Sequence, residues 1–347
     1  PRILRVGRFA IAALVAAGCG AGSAVDASGQ GAPRDSRHHD FRVVTVVEGL
    51  EHPWGMAFLP GGDVLVTERP GRLRLVRGGE LDPRPIGGVP AVRAGGQGGL
   101  LDVAVHPDFG SNRLVYLSFS KPGPLGATTA VVRGRLEGHA LVDVEEVFEA
   151  RAWSQSGVHF GSRLVFDGAG HLFITVGERG RMQNAQDLMT HAGKVIRLHD
   201  DGRVPADNPF VGRSDALPEI WAYGIRSPQG IVLGPDGTLW ETEHGPRGGD
   251  EINIITRGAN YGWPVITYGI NYNGTAITDI TEREGMEQPL HYWVPSIATS
   301  GIALYHGDRF PSWRGDIFVG GLAGQQLARV RLDGRRVVET EVLLGDF

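Results

Sequence analysis

The sequence predicts an all-β fold of the β-propeller type, and three observations support this. Its 347 residues include 53 glycines and 21 prolines, a surplus that is typical of short strands joined by many tight turns. A glycine-bearing turn followed by a strand-like apolar run recurs along the chain at irregular spacings of roughly 50 to 80 residues. Helical periodicity is nearly absent. A β-sandwich, the competing fold, would show strands every 8 to 12 residues or so without this longer period.

The recurring units can be taken in order along the chain. They cover residues 60–68, 106–118, 167–175, 235–240 and 313–319. Residues 41–47 add one further strand-like run, and an N-terminal strand that pairs with the last blade is a common way to close such a ring. We therefore predict a six-bladed propeller over residues 41–347, with its last blade incomplete in this chain. The start at Pro1 and the end at Phe347 lead us to expect a fragment.

Composition narrows the classes of function. Hydrophobic residues make up 41% of the chain and charged residues 21%, which supports a sizeable core and argues against disorder. The 34 basic and 39 acidic residues give a net charge of −5. No basic stripe is evident, so we expect no nucleic-acid partner.

The N-terminal residues have the pattern of an export signal. Arg2, Arg5 and Arg8 precede an apolar run over residues 9–17, and small residues lead to Cys19. We interpret residues 1–19 as a signal peptide with a lipobox, although Ala16 stands where leucine is usual. Cys19 would then carry a lipid anchor, residues 20–40 would form a flexible tether, and the protein would be periplasmic or attached to the cell envelope. Plain secretion with an incidental Cys19 is the alternative.

His159 and Glu178 are candidates for acid–base chemistry. His159 lies in a glycine-rich turn just ahead of a predicted strand, and Glu178 follows the next strand. A neutral imidazole can accept a proton near neutral pH, and a neighbouring carboxylate fixes its tautomer and stabilises the imidazolium that forms. A surface histidine in an ordinary turn is the alternative.

Gln97 and Arg226 are candidates for ligand binding. Gln97 lies among four glycines, which let a backbone approach a ligand closely. Arg226 follows an apolar strand and could direct its guanidinium at carboxylates of a ligand. A plain hairpin loop and a structural ion pair are the respective alternatives.

The loop over residues 243–263 combines acids, a histidine, an arginine and several glycines. Asp250 and Glu251, with the carbonyls of Gly245 and Pro246, supply oxygen ligands of the kind that Ca²⁺ prefers. The cysteine and clustered-histidine ligands expected for zinc are missing. A solvated acidic turn is the alternative.

Together these segments resemble the soluble quinoprotein sugar dehydrogenases of the glucose/sorbosone dehydrogenase family, and within it the aldose sugar dehydrogenase subgroup. The resemblance runs from about Phe41 to the last residue. The segments that carry it are Pro53-Trp54-Gly55-Met56-Ala57-Phe58, Gln97 to Phe109, His159 to Phe166, Glu219 to Gly230 and Glu243 to Trp263. It implies a six-bladed propeller with pyrroloquinoline quinone (PQQ) over the central channel.

The resemblance also implies roles for individual residues. His159 falls on the catalytic base and Glu178 on its acidic partner. The positions that contact the cofactor are Gln97, Arg226, Ser227 and Tyr272. Gly245 and Pro246 match carbonyls that hold the calcium at the quinone, and Glu251 and Tyr261 match a second, structural calcium site.

The chain departs from the family pattern at three places. Ser227 stands where asparagine is usual, so its contact with the cofactor is shortened. Ala323 and Gly324 stand where some relatives place a cofactor-binding lysine. Further arginines of the family, in a Gly-Arg-x-Arg-Asp stretch, would lie just past Phe347.

The function that the resemblance implies is oxidation of an aldose to an aldonolactone, with PQQ and Ca²⁺ as cofactors and electrons leaving to a periplasmic acceptor. The oligomeric state is left open between a monomer and a homodimer. Two other hypotheses are a calcium-dependent propeller lactonase and an exported, non-catalytic binding module.

Overall fold

The computed structural model describes residues 32–345, which form five four-stranded antiparallel sheets. The predicted signal peptide with Cys19, and residues 20–31 of the predicted tether, lie outside the described residues. Across residues 32–345, the helices are all too short or too polar to cross a bilayer.

Each sheet is a meander, in which the four strands pair in the order in which they occur in the sequence. The first sheet contains β1 (Pro53–Phe58), β2 (Val64–Glu68), β3 (Arg72–Arg77) and β4 (Glu80–Leu81). The second contains β5 (Leu100–Val105), β6 (Leu114–Gly123), β7 (Gly126–Glu137) and β8 (Ala140–Glu149). The third contains β9 (Leu164–Phe166), β10 (His171–Val176), β11 (Lys194–His199) and β12 (Ile220–Tyr223). The fourth contains β13 (Pro228–Leu233), β14 (Leu239–Glu243), β15 (Asp250–Ile255) and β16 (His291–Trp293). The fifth contains β17 (Thr299–Leu304), β18 (Ile317–Gly321), β19 (Gln326–Asp333) and β20 (Arg336–Val342). The helices are α1 (Phe109–Asn112) and two 3₁₀ turns, Met182–Ala185 and Pro311–Trp313.

The recurring unit of the sequence is the second strand of each sheet with the turn before it. All five predicted units end within such a strand, namely β2, β6, β10, β14 and β18. The all-β propeller is thereby confirmed, and five blades are seen in residues 32–345. A sixth blade is not seen there.

The strand predicted over residues 41–47 does not form. These residues contain only single bridge positions, one of which joins Phe41 to Arg34. Phe41 instead packs on Trp313 and Phe318 beside the fifth sheet, and the backbone N–H of Arg37 donates to Glu341. An apolar pattern cannot distinguish strand pairing from packing of single side chains, and here Phe41 is the residue of this run that is buried.

The core consists of the interfaces between successive sheets. On β10, Leu172 and Ile174 pack against the second sheet, while Phe173 packs against the fourth. Successive side chains of a strand point to opposite faces, and both faces of this sheet are covered. The second strands therefore have nearly continuous apolar sequences, and for this reason they could be recognised from the sequence alone.

Side chains at the hub tie neighbouring sheets together. The first strands of the sheets pack in the order β1, β5, β9, β13 and β17. Arg163 lies between them: its Nε donates to the carbonyl of Gln229 at 2.6 Å, its Nη1 lies 3.4 Å from Asp102, and its guanidinium lies 3.9 Å from the centre of the Trp54 ring. Ser118 donates to the carbonyl of Ser162 at 2.6 Å.

The meander also decides where candidate functional residues gather. In each sheet, the segment before the first strand and the turn between the second and third strands lie at the same end. Gln97 precedes β5, His159 precedes β9 and Arg226 precedes β13. Glu178 follows β10, and residues 244–249 join β14 to β15. All of these belong to one face of the propeller.

Candidate active site

His159 and Glu178 form a hydrogen-bonded pair at the hub. The imidazole Nδ1 contacts Oε1 of Glu178, and the two side chains are 12% and 2% exposed. A carboxylate can only accept at this contact, so we assign the proton to Nδ1. Nε2 of His159 is then the unprotonated nitrogen, as a proton acceptor requires.

Gln97 holds the backbone of His159. Its side-chain oxygen accepts from the His159 N–H at 2.6 Å, and its own N–H donates to the carbonyl of Gly157 at 2.8 Å. The side-chain oxygen of Gln97 is thus engaged by the His159 backbone.

Gly177 lies directly against His159. A Cβ atom at Gly177 would lie 2.3 Å from the carbonyl oxygen of His159 and 3.0 Å from its Cβ. We expect Gly177→Ala to lower the free energy of unfolding by about 1–3 kcal/mol, because neither backbone can yield without breaking neighbouring hydrogen bonds. Chemical denaturation measures the change. Gly168→Ala in the β9–β10 turn, where a Cβ would meet nothing within 4 Å, is the control and should change stability far less; equal changes would contradict the packing described.

Arg226 joins the His159 pair to the loop after β14. Its carbonyl accepts from the Glu178 N–H at 2.9 Å, and its N–H donates to Glu243 at 2.5 Å. Its Nη1 donates to the carbonyls of His244 and Gly245 at 2.9 and 3.0 Å. The Arg226 backbone thus contacts Glu178, while its guanidinium is fixed by the carbonyls of the loop after β14.

Ser227 and Tyr272 differ in how they face this site. Ser227 is fully buried, and its hydroxyl accepts from Gln229 at 3.2 Å. Tyr272 is 72% exposed, and its hydroxyl lies 3.5 Å from Nη2 of Arg226. Tyr272 is therefore at the rim of the site, whereas the Ser227 hydroxyl is turned towards Gln229.

Asp250 shapes the loop over residues 244–249. Its carboxylate accepts from the N–H of Gly245 at 2.8 Å, from the N–H of Ile297 at 2.7 Å and from the hydroxyl of Ser296. Both oxygens accept hydrogen bonds in this way, and the expectation that Asp250 supplies a metal ligand stays a prediction. Its carboxylate fixes the backbone from which the Gly245 carbonyl projects.

A small cavity, with room for about one water molecule, lies between Arg226 and the second predicted metal position. Glu251 and Tyr261 both line it, as do Gly245 and Glu243. The Tyr261 hydroxyl is used elsewhere, since it donates to the carbonyl of Ile254 and accepts from the N–H of Thr256. Only the backbone of Tyr261 could therefore serve a metal.

Glu243 and Glu251 line this cavity, and the buried Glu241 adjoins them, since Nδ2 of Asn253 donates to all three carboxylates. Burial raises the pKa of Glu243 to about 7, and burial together with the charge of Glu243 raises the pKa of Glu241 and of Glu251. Within residues 32–345 none of the three forms an ion pair with a basic side chain, and Oε1 of Glu241 has no hydrogen-bond partner there. The donors suit a hard cation. No three such side chains of the described residues converge into a ready-made metal cage, so carbonyls or water would complete the ligand shell.

Sequence reasoning assigned no role to two residues that the structure places in the site. His244 lines the cavity, and burial lowers its pKa to about 4, so its imidazole is neutral at physiological pH. Arg179 is 1% exposed and contacts the loop that carries His159. Arg179 directly follows Glu178, and that adjacency is the only signal that could have identified it.

The structure thus brings most of the predicted residues together. His159, Glu178 and Gln97 form one group, and Arg226, Gly245 and Tyr272 form a second group. The Glu178–Arg226 backbone hydrogen bond joins the two groups. Glu251 and Tyr261 lie deeper, across the cavity from Arg226.

Known proteins match this chain over nearly all of the propeller. The family model "Glucose / Sorbosone dehydrogenase" matches residues 50–347. Aldose sugar dehydrogenase YliI of Escherichia coli strain K12 is 46% identical over 311 residues, which are 88% of this chain and 84% of that protein.

Solved structures give the same result. The soluble aldose sugar dehydrogenase of Escherichia coli in its apo-form superimposes with a TM-score of 0.83 at 46% identity, covering 86% of this chain and 88% of that one. The PQQ-bound form of an aldose sugar dehydrogenase from Streptomyces coelicolor superimposes with a TM-score of 0.73 at 29% identity, covering 87% and 84%. With the family model matched along most of its length, this chain belongs to the glucose/sorbosone dehydrogenase family.

Proposed function

We propose that this protein is a PQQ-dependent dehydrogenase that oxidises aldoses at the anomeric carbon to aldonolactones. The observation that carries the proposal is the buried His159–Glu178 pair, linked through the backbone to the guanidinium of Arg226. The PQQ-bound relative from Streptomyces coelicolor supports the choice of cofactor.

His159 acts as the general base. Its Nε2 accepts the proton of the anomeric hydroxyl, while Glu178 holds Nδ1–H and stabilises the imidazolium that forms. Glu178 is 2% exposed, so water does not screen this stabilisation. The Gln97 side chain and the left-handed backbone of His159, at φ 54°, set the direction of the ring.

The residues around Arg226 fit an anionic cofactor such as PQQ. Nη1 of Arg226 is engaged by carbonyls, whereas Nη2 has a long contact of 3.5 Å with Tyr272, which leaves donor capacity towards a carboxylate. Gln97 and Tyr272 would complete the contacts, whereas Ser227 would join them only by turning its hydroxyl away from Gln229. When bound, PQQ would supply an electrophilic carbonyl as the hydride acceptor, a role for which no amino-acid side chain is suited.

Calcium ions fit two places in the same region. The carbonyls of Gly245 and Pro246 would hold the ion next to the cofactor, where a Lewis acid stabilises developing negative charge. In this structure the Gly245 carbonyl accepts from Arg226, so Arg226 would share or release it. Glu251 and the Tyr261 carbonyl would hold a second ion, which would neutralise part of the buried negative charge.

The second site gives a prediction for stability. We expect Ca²⁺ at about one hundred times its Kd to raise the free energy of unfolding by about 2.7 kcal/mol, and Glu251→Gln to remove most of this gain. Thermal unfolding with Ca²⁺ or a chelator measures it. Glu145→Gln, an exposed carboxylate on β8 that pairs with Arg133, is the control and should keep the gain. An equal response in Glu251→Gln would contradict the assignment of Glu251.

The activity itself is tested by reconstitution. The full-length protein is incubated with PQQ and Ca²⁺, and reduction of an artificial electron-accepting dye is followed with a panel of aldoses. We expect turnover that depends on both cofactor and sugar. A folded protein that binds no PQQ, or that holds PQQ without oxidising any aldose, would defeat the proposal.

We also propose an exported enzyme that passes its electrons to a periplasmic acceptor, on the support of the signal pattern in residues 1–19. Fractionation of cells that express the full-length protein tests the location. Labelling with a radioactive fatty acid, with Cys19→Ala as the control, tests the lipid anchor. A cytoplasmic, unlabelled protein would contradict both statements.

A further inference from the structure

We propose that Arg179 is a positioning residue, which clamps the loop over residues 155–160 and thereby holds the His159 imidazole against Glu178. The inference rests on the proposed function of His159 as a base and adds a residue that has no counterpart in the expected site. Glu178 and Arg179 are consecutive, so one turn would control both the ring and the backbone of His159.

The contacts of Arg179 all reach this loop and its support. Its Nη1 donates to the carbonyl of Val158, and its Nη2 donates to the carbonyl of Ser156 at 2.9 Å and lies 3.4 Å from the carbonyl of Ala127. The guanidinium stacks on Phe160 at 3.6 Å from the ring centre. The residues on both sides of His159 are therefore held by one side chain.

The backbone of this region needs such a clamp. His159 and Arg179 have φ angles of 54° and 63°, a left-handed conformation that is unfavourable for residues other than glycine. Such conformations persist only where surrounding contacts enforce them. Gln97 enforces the His159 conformation from one side, and Arg179 does so from the other.

The groups around position 179 suit an arginine better than a lysine. Its neighbours are carbonyls and an aromatic ring, and Arg179 forms no ion pair with any residue between 32 and 345. A planar guanidinium can donate to two carbonyls and stack at the same time, whereas an ammonium group cannot. Burial lowers the pKa of Arg179 to about 10, which leaves it protonated and fully donating at neutral pH.

Loss of the guanidinium should therefore free the loop without touching sugar or cofactor. The Val158 and Ser156 carbonyls would lose their donors, and the His159 ring could leave Glu178. A small misplacement of a catalytic group can cost about a hundredfold in rate. Binding of the sugar, which Arg179 does not contact, should change much less.

The experiment compares Arg179→Met and Arg179→Lys with a matched control, Arg197→Met. Arg197 is also a buried arginine of the third sheet and also lies over an aromatic ring, Trp221, but it does not contact the His159 loop. The first readout is the ¹⁵N spectrum of histidine side chains in the cofactor-free protein, with the His159 signals assigned from His159→Gln. The second is kcat and KM of the reconstituted protein.

We expect wild type and Arg197→Met to show His159 as the single Nδ1–H tautomer, and Arg179→Met to show a mixture of tautomers. We also expect Arg179→Met to lower kcat by about 10- to 100-fold with KM for the aldose changed by less than about threefold, and Arg179→Lys to recover part of the loss. If Arg179→Met does not fold, the same two readouts on Arg179→Lys decide.

An unchanged tautomer and kcat in the Arg179 variants, or equal losses in Arg197→Met, would overturn the proposal. The spectrum needs neither PQQ nor turnover. An inactive wild-type protein with a single tautomer, lost in Arg179→Met, would therefore count against the proposed function and still support the positioning role.

Discussion

Replacing His159 with glutamine should lower kcat by about 10²- to 10⁴-fold, the usual contribution of a general base. Glutamine retains a polar side chain but has no group that accepts a proton near neutral pH. The Glu178 carboxylate would then have no imidazolium to stabilise, so the buried pair loses its function. Uptake of PQQ should persist, because the Arg226 group stays intact.

Steady-state kinetics with a saturating aldose, on variants loaded with PQQ and Ca²⁺, measure this effect. The control is His139→Gln: His139 also pairs with a carboxylate, Asp82 at 2.7 Å, but lies in the turn between β7 and β8. Its kcat should match the wild type. A His159→Gln variant that retains more than about a tenth of the wild-type kcat would rule out His159 as the base.

Replacing Arg226 with methionine should raise the Kd for PQQ by about 10- to 100-fold. A hydrogen bond to a charged group contributes about 1.5–3 kcal/mol, and each 1.4 kcal/mol or so is a factor of ten in affinity. The variant would also lose the donors to the His244 and Gly245 carbonyls. Arg226→Lys keeps the charge but not the planar geometry, so its Kd should fall between the two.

Titration of PQQ at fixed, saturating Ca²⁺, followed by absorbance, gives these Kd values. Arg247→Met is the control, because Arg247 lies in the same loop but is exposed. It should leave the Kd within about threefold of the wild type, since an exposed charge contributes little. Equal Kd values for wild type and Arg226→Met would show that the cofactor binds elsewhere.

The five blades could be predicted from the sequence because each one is marked by a local pattern, an apolar run next to a glycine-bearing turn. The second strand of each sheet is buried on both faces, so runs such as residues 171–176 stand out beside their glycine-bearing turns. Residues 41–47 carry a similar apolar signal but form only single bridge positions instead of a strand. Strand pairing depends on residues that are distant in the sequence, so it cannot be predicted from a single segment.

The candidate site was predictable in part for the same reason. His159, Glu178 and Arg226 were found through motifs, and the meander then explains why their loops meet on one face. The clamp by Arg179 and the engagement of Asp250 depend on which carbonyls and amides lie nearby in space. The grouping of Glu241, Glu243 and Glu251 was not predicted either, because alternation on β14 and β15 indicates a shared face but not whether a basic side chain lies near it.

One measurement tests the central claim most directly: anaerobic mixing of an aldose with the PQQ- and Ca²⁺-loaded protein, followed by the absorbance of the bound quinone. We predict one equivalent of aldonolactone per loaded site and a several-fold slower reduction when the sugar carries deuterium at its anomeric carbon. Two results would contradict hydride transfer from the anomeric carbon to the quinone. In the first, the quinone stays oxidised with every aldose tested. In the second, the deuterated sugar reduces it as fast as the ordinary sugar does.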